Sequence, residues 1–565
     1  MKSKTFLIIG VVSPLFLIIA FFNLNSSEQV STYAASNFKK CVSTNFLLTE
    51  VDTTRPIAPL FNDLGDLNYT VSTKNKKAQA FFNQGLKLTY AFNHAESHRS
   101  FMESGRLDNN LAMAYWGQAY ALGPNINDQL PDEERSLIAY EAIQNALKLI
   151  DKSSKKEQLL INALSTRYSK DSENREELNM AYMLAMEKVV NEFPNDVDIL
   201  TLYAASVMNT VPWNYWDNDG NPSPNIAEAK AALEKAIKID DNHPGAHHYY
   251  IHMVELPKPD LGIQSADKLG TTMPGAGHIV HMPGHIYMRV GRYDDAVRVN
   301  EEAILADESY ISQCFSQGLY PLGYYPHNIH FLWSSASMQG NSTKAISAAK
   351  KTAEKVPANS LSGSQFHQNF AATPLLAYTR FGKWNDILTT PDPGDNLTYL
   401  KLIWHYSRGI AFLRKNNLKE AEEELELLAN RNTEEDDDRA SNVANVAFEI
   451  LAGEIEVYKG NLENGINHLK NAVAFEDELP YDEPAAWYIP TRQTLGAFLN
   501  KAKKYDEAEI IYREDLDYYR ANGWSLMGLY TSLVGQGKIE EAKKTKKAFD
   551  QAWSNADIEI NNSIL

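Results

Sequence analysis

GAGHIVHMPGHIYMRVGRYDDAV, residues 275–297, is the stretch that decides the fold. Its second half contains a break, GRYDDA (291–296): a turn residue, an apolar residue two positions later, and a small residue three after that. The form recurs in GNSTKA (340–345), NNLKEA (416–421), GNLENG (460–465), KKYDEA (503–508) and GKIEEA (537–542), with the apolar position kept in all but one. Twelve residues before each terminal small residue stand Gly284, Trp333, Gly409, Gly453, Gly496 and Tyr530. Glycine in four of these six places lets two helices approach closely, and the small residue of the second helix does the same from the other side. Between the breaks, apolar residues recur at three and four over segments of about 12–18 residues, and no alternating strand pattern appears. The expectation is an all-α chain of stacked helical hairpins.

This pattern resembles the tetratricopeptide repeat, a helix-turn-helix unit of about 34 residues. The spacings between Gly409, Gly453, Gly496 and Tyr530 are 44, 43 and 34, so several units carry insertions. An earlier unit runs from Phe81 through Gly85 to Phe101. Each hairpin of such a solenoid buries its faces only against its neighbours, and the stack coils into a superhelix whose first helices line the concave side. The resulting division is an N-terminal segment 1–25, an extended arm 26–75, a histidine-rich region 76–330 and a C-terminal repeat array 331–560. A proline- and tryptophan-bearing segment at 207–228 has little helical period and reads as a functional loop or a plug over the groove.

Composition narrows the function. The 565 residues carry a formal charge of −18, which disfavours nucleic acid and anionic lipid as partners. Two cysteines, Cys41 and Cys314, exclude a disulfide framework and a thiolate cluster; one bridge between them stays open. Lys2 and Lys4 precede an uncharged run from residue 5 to 22, which reads equally as a signal-anchor or an atypical signal peptide. Either reading exports the bulk of the chain, to the periplasm or cell surface, with membrane contact only through this segment.

Nine of the fourteen histidines fall between His243 and His330. Counting back 18 residues from Ala266, Ala296 and Ala345 gives His248, His278 and His327; counting back 15 from the last two gives His281 and His330. Counting back 11 from Ala266 and Ala296 gives Glu255 and His285. His248, His252 and Glu255 share one helix face, as do His278, His281 and His285 if Pro283 does not break the helix. Stacked helices lie about 10 Å apart, so imidazoles from neighbouring hairpins are expected to meet at one ion. Imidazole with carboxylate suits zinc, copper or iron, and Glu255 is also a candidate general base. His327, just after Pro326 at a helix start, is biased towards the neutral form. Tyr249, Tyr250, Tyr287, Tyr324 and Tyr325 are candidate partners for the ligands. His94 and His98 form a further pair at helical spacing, whereas His367, His405 and His468 read as packed or surface residues.

The chain further resembles a group of bacterial exported tetratricopeptide-repeat proteins. The carrying segments are PLFNDLGDLNYTVST, AFFNQGLKLTYAFNHAESHRSF, AMAYWGQAYALGPNIN and MNTVPWNYW, with HPGAHHYYIHMVE and GAGHIVHMPGHIYMRVGRYDDAV the most specific. The resemblance implies that His94, His248, His252, Glu255, His278, His281 and His285 belong to a shared pattern, and it brings no reaction with it. Two functional readings follow. One is a His/Glu metal centre in the groove, catalytic through metal-activated water or an oxygen-reactive iron or copper. The other is a cell-envelope scaffold that grips a protein or peptide, its histidines merely packed.

Overall fold

The computed structural model describes residues 54–170, 174–217, 219–313, 320–430 and 438–565. The N-terminal segment 1–25, the arm up to residue 53, Cys41 and Cys314 lie outside the described residues. Within them the chain is all-α: twelve helical hairpins follow one another, from Lys76–Tyr90 paired with His94–Leu107 to Gly523–Gly535 paired with Ile539–Ala552, and no strand occurs. No helix among the described residues is long and apolar enough to cross a membrane.

The hairpin turns show why the breaks repeat. Gly291, Gly340, Asn416, Gly460, Lys503 and Gly537, the first residues of the six motifs, all adopt left-handed φ values between 59° and 91°. The N–H of the next residue then reaches back five carbonyls: Arg292 to Tyr287 at 2.8 Å, Asn461 to Glu456 at 2.9 Å, Lys538 to Leu533 at 2.9 Å. This ends the first helix with its last carbonyls satisfied and turns the chain into the second. The small residues three positions into the second helix close the hairpin; Ala296, Ala345, Ala421 and Ala508 are completely buried. Two hairpins use the same turn without the motif, at Gly382 and at Phe92, whose φ is 56°.

One hydrophobic core runs from Leu64 to Tyr324 and a second from Val297 to Ala542, overlapping around the hairpin that carries residues 297–324. The arm residues 54–75 are irregular and are held by side chains of the first hairpin: Ile57 N–H donates to Glu103 at 3.0 Å and Phe61 N–H to Gln84 at 2.8 Å. Farther along, Gly275 N–H donates to Asp63 O at 2.7 Å, which braces the turn before His278. The tryptophan segment is the loop between Val197–Met208 and Ile226–Ile239. Trp213 and Trp216 tie it down by donating to Ile126 O at 2.9 Å and Met253 O at 2.7 Å.

The superhelix winds back on itself. Trp524 Nε1 donates to Ser337 O at 2.9 Å, and the Asp557 carboxylate accepts from Ser342 N–H at 2.6 Å and Thr343 N–H at 2.9 Å. Tyr488 packs edge-on against Trp333, with ring centroids 4.1 Å apart. The last hairpins therefore lie against the central ones, and this contact delivers distant residues to the histidine region.

Candidate metal centre

His248 and His252 lie on the helix Pro244–Val254, and Glu255 caps its C-terminus. His278 and His281 belong to the short helix Gly277–His281, and His285 to Pro283–Arg289. Pro283 divides the two, but Met282 between them keeps helical dihedrals (φ −52°, ψ −35°), so the three histidines stay on nearly one face. His327 lies in the first turn of Tyr325–Met338.

The side chains do not meet at one point, as the shared register had suggested; they fall into three groups. His248, His252 and His278 form the first, His281, His285 and His327 the second, and Glu255, His285 and Glu483 the third. Within each group, one ligand atom per residue lies within 4.8 Å of the others. The register paired His327 with His248 and His278, yet its ring sits 4.9 Å from His281 and 5.7 Å from His285. His278 and His281 share one short helix, and three residues along a helix shift a side chain by about 4.5 Å along its axis, so the ligands spread lengthwise: His278 meets His248, His281 meets His327, and His285 reaches both His281 and Glu255. The first two groups touch through His278 and His281, whose ring centroids are 5.9 Å apart.

The outer nitrogens of these rings are anchored. His248 Nδ1 lies 2.6 Å from Tyr90 O, an atom that only accepts, so Nδ1 carries the proton and Nε2 presents a lone pair. His281 Nδ1 lies 2.7 Å from Asn300 Oδ1, whose identity as the oxygen follows from Nδ2 donating to Ala296 O. His252 Nδ1 faces Glu255 Oε1 at 3.3 Å, leaving its buried Nε2 with no hydrogen-bond partner. Imidazoles that ligate metals are oriented in this way, outer N–H to a carbonyl or carboxylate and inner nitrogen free.

The inner nitrogens then meet in pairs. His248 and His278 bring Nε2 to Nε2 at 3.1 Å, His281 and His285 at 2.9 Å. Two nitrogens on one tetrahedral zinc, each about 2.0–2.1 Å away, are about 3.3 Å apart, so both contacts are close to that span. A shared proton between each pair accounts for the same distances. It does not account for the empty Nε2 of His252 beside the first pair. His278 is the exception to the anchoring pattern, its Nδ1 being buried with no partner.

Electrostatics favours neutral ligands. Burial, then crowding by neighbouring imidazoles, holds His248, His278, His281 and His327 well below the usual histidine range. A neutral imidazole is the form a metal needs. His285 goes the other way: burial opposes its charge, but the carboxylates of Glu255 and Glu483 outweigh burial and raise it. Burial works to raise Glu255 as well, but His285 and His252 hold it ionised.

The walls are aromatic. Phe92 stacks on His252 with rings 5.7 Å apart and 3° from parallel, and lies 4.3 Å from His248 and 5.4 Å from His278. Trp213, from the loop, sets its ring edge-on to His252 at 5.2 Å, and Phe331 lies 4.7 Å from His281. Of the five tyrosines expected nearby, Tyr324 lies tilted against His278 at 4.6 Å and Tyr249 stacks on His248 at 5.8 Å. The hydroxyls of Tyr250, Tyr287 and Tyr325 instead donate to Glu234, Asp267 and Glu308.

Two expected ligands stand outside the groups. His94 reaches the cluster through Phe92, whose ring is 5.8 Å away, and burial with Arg135 and Arg167 carries it down to about 3. His330, one turn beyond His327, packs instead into a box of Trp333, Phe370 and Tyr488. Sequence reasoning missed Glu483 and Phe92. Glu483 lies in the linker between Leu462–Asp477 and Thr491–Lys501, outside any histidine register. His405 and His468 are each paired with a glutamate across their own hairpin, Glu424 and Glu449, both at 2.6 Å.

No family model and no curated protein matches the chain. Among solved structures, the human IFIT1 dimer with m7Gppp-AAAA is similar at 14% identity and a TM-score of 0.33, over 79% of this chain and 90% of that one. The APC/C hetero-tetramer Cut9-Hcn1 is similar at 13% identity and a TM-score of 0.26, over 85% and 88%. Likeness at this level says nothing about the histidine cluster.

Proposed function

We propose that the chain is a metalloprotein in which a helical-hairpin solenoid encloses a His/Glu transition-metal centre. The observation that carries this is the first group: His248, His252 and His278 point toward one another, two of them with the outer nitrogen fixed as a donor, in a site at most 3% exposed. Burying the His252 ring with its inner nitrogen empty is costly for a site that only packs, because an unpaired buried polar atom costs about 1–3 kcal/mol. An ion that takes that lone pair removes the cost. The donors are imidazole and carboxylate, which suit zinc, copper and iron, and metal-activated water or oxygen chemistry is the activity to screen. The basic and apolar N-terminal run supports placing the protein outside the cytoplasm, and the carrying segments support grouping it with exported repeat proteins.

Elemental analysis of the chain purified without a polyhistidine tag tests the proposal. At least one equivalent of zinc, copper or iron is expected, falling severalfold in His248→Ala/His252→Ala while the helical circular dichroism stays. A chain that takes up no metal after reconstitution with each of the three ions would leave the histidines as packing residues.

A second reading has its own observation, at the other end of the molecule. The final residues lie across the C-terminal hairpins: Arg414 Nε donates to Leu565 O at 3.2 Å, and Ser563 Oγ meets Tyr512 Oη at 2.7 Å and Gln493 O at 2.6 Å. Beside them is a cavity of about 990 Å³ lined by residues that include Arg414, Glu454, Phe498 and Tyr505. Residues 559–562, 564 and 565 themselves line this cavity, so removing them opens a groove matched to a peptide of that sequence. A peptide of residues 557–565 is expected to bind a chain truncated after residue 556 and not the full chain; no binding to the truncated chain would end this reading.

A further inference from the structure

The third group differs from the first two in chemistry and in origin. Glu255 and His285 come from neighbouring hairpins, whereas Glu483 arrives from a linker about two hundred residues later, where the superhelix winds back. His285 Nδ1 lies 2.9 Å from Glu255 Oε2 and 2.5 Å from Glu483 Oε2. All three atoms are buried and face one another, with no partner outside the group. The remaining atoms of these side chains are already engaged. Glu255 Oε1 faces His252, Glu483 Oε1 accepts from the Tyr481 hydroxyl, and His285 Nε2 faces His281. Three donors thus converge on one point, each oriented from behind by another group, which is the support that metal ligands require.

We propose that Glu255, His285 and Glu483 form a second metal position, and that a divalent ion bound there latches the C-terminal hairpins onto the histidine hairpins. This rests on the metal reading above but adds a distinct site. One nitrogen and two carboxylate oxygens suit zinc or ferrous iron, whereas the all-imidazole groups also suit copper. Glu255 joins the positions, one oxygen facing His252 of the first group and the other facing the second ion. Ion pairing alone, a protonated His285 caged by two carboxylates, is the competing account of the same contacts.

The latch makes occupancy readable at a distance. The linker between the helices ending at Asp477 and beginning at Thr491 is tied to the histidine hairpins through Glu483, so loading the second position holds that linker closed. Stoichiometry and hydrogen exchange separate the accounts. The full chain, stripped with chelator and reloaded with zinc or ferrous iron under anaerobic conditions, is expected to bind at least two ions. Glu483→Gln is expected to bind one fewer, and metal loading is expected to slow exchange in residues 479–490 of the parent chain but not of this variant. Glu483→His, which restores a donor, is expected to regain the ion. Wild-type stoichiometry together with wild-type metal protection in Glu483→Gln would overturn the proposal and leave the ion pair, with the first position intact. A parent chain that binds no metal would instead remove the metal reading itself.

Discussion

Phe92 is the residue whose backbone and side chain pull in opposite directions. Seven other hairpins place glycine, asparagine or lysine at the left-handed turn position; the first hairpin places a phenylalanine there, at φ 56°. An L-residue in that conformation is strained by roughly 1–2 kcal/mol, and strain of this kind persists where the surroundings enforce it. Here the enforcement is the ring, 2% exposed and laid against His248, His252 and His278. The prediction inverts an ordinary ranking. Phe92→Ala keeps the strain and loses the ring, Phe92→Gly loses both, so the glycine variant should be the more stable of the two by about 1 kcal/mol in urea unfolding. Both should release an ion loaded into the proposed centre to a chelator several times faster than the parent, since the ring that screens the first group is gone. An alanine variant at least as stable as the glycine one would show that the turn is not strained.

At the scale of the element, each hairpin turn repeats one backbone solution with different surroundings. Gly291 and Gly537 have nearly the same φ, 78° and 75°. A Cβ on Gly537 would meet nothing within 4 Å, whereas one on Gly291 would fall 2.4 Å from the carbonyl oxygen of Arg520. Gly537→Ala should therefore cost only the left-handed strain, about 1 kcal/mol, and Gly291→Ala at least twice that, as read from denaturant midpoints. Equal costs would mean that the Arg520 segment yields freely. The same turns explain what the sequence disclosed. Gly291, Gly340, Asn416, Gly460, Lys503 and Gly537 were legible because the turn restricts residue type and the small residue that follows has a fixed offset. Phe92 hid its turn by putting an unsuitable residue in it. The candidate ligands His248, Glu255, His278, His281, His285 and His327 were legible by phase, and His252 by its helix-face spacing from His248. Their division into groups was not, because residues on one helix face are still spread along its axis and meet different neighbours. His330 shared the phase of His281 but packs into the aromatic box instead.

For the whole molecule, the decisive fact is that the superhelix returns to itself. A repeat array ordinarily keeps its contacts between neighbours, so that stability is nearly a sum over adjacent units. Here Glu483 meets His285, Trp524 meets Ser337 and Asp557 meets the start of the helix Ser342–Glu354. None of these pairs could be read from the sequence, since periodicity reports what lies next door and superhelical pitch is the accumulated result of many small rotations. The paired charges on this seam are unequal in weight. Arg520 and Asp260, at 2.7 and 2.9 Å, are exposed and contribute little; the glutamates on His285 are buried.

Arrays of repeats lengthen and shorten in evolution by duplicating or deleting whole units, a freedom that neighbour-only contacts permit. The meeting of Glu483 with His285 withdraws it from part of this chain. Adding or removing one hairpin anywhere between the two would carry the carboxylate a full step along the coil and leave the imidazole facing something else. Between the histidine hairpins and the linker at residues 479–490 the count of units is thus fixed, and only the array outside that interval is free to vary in number.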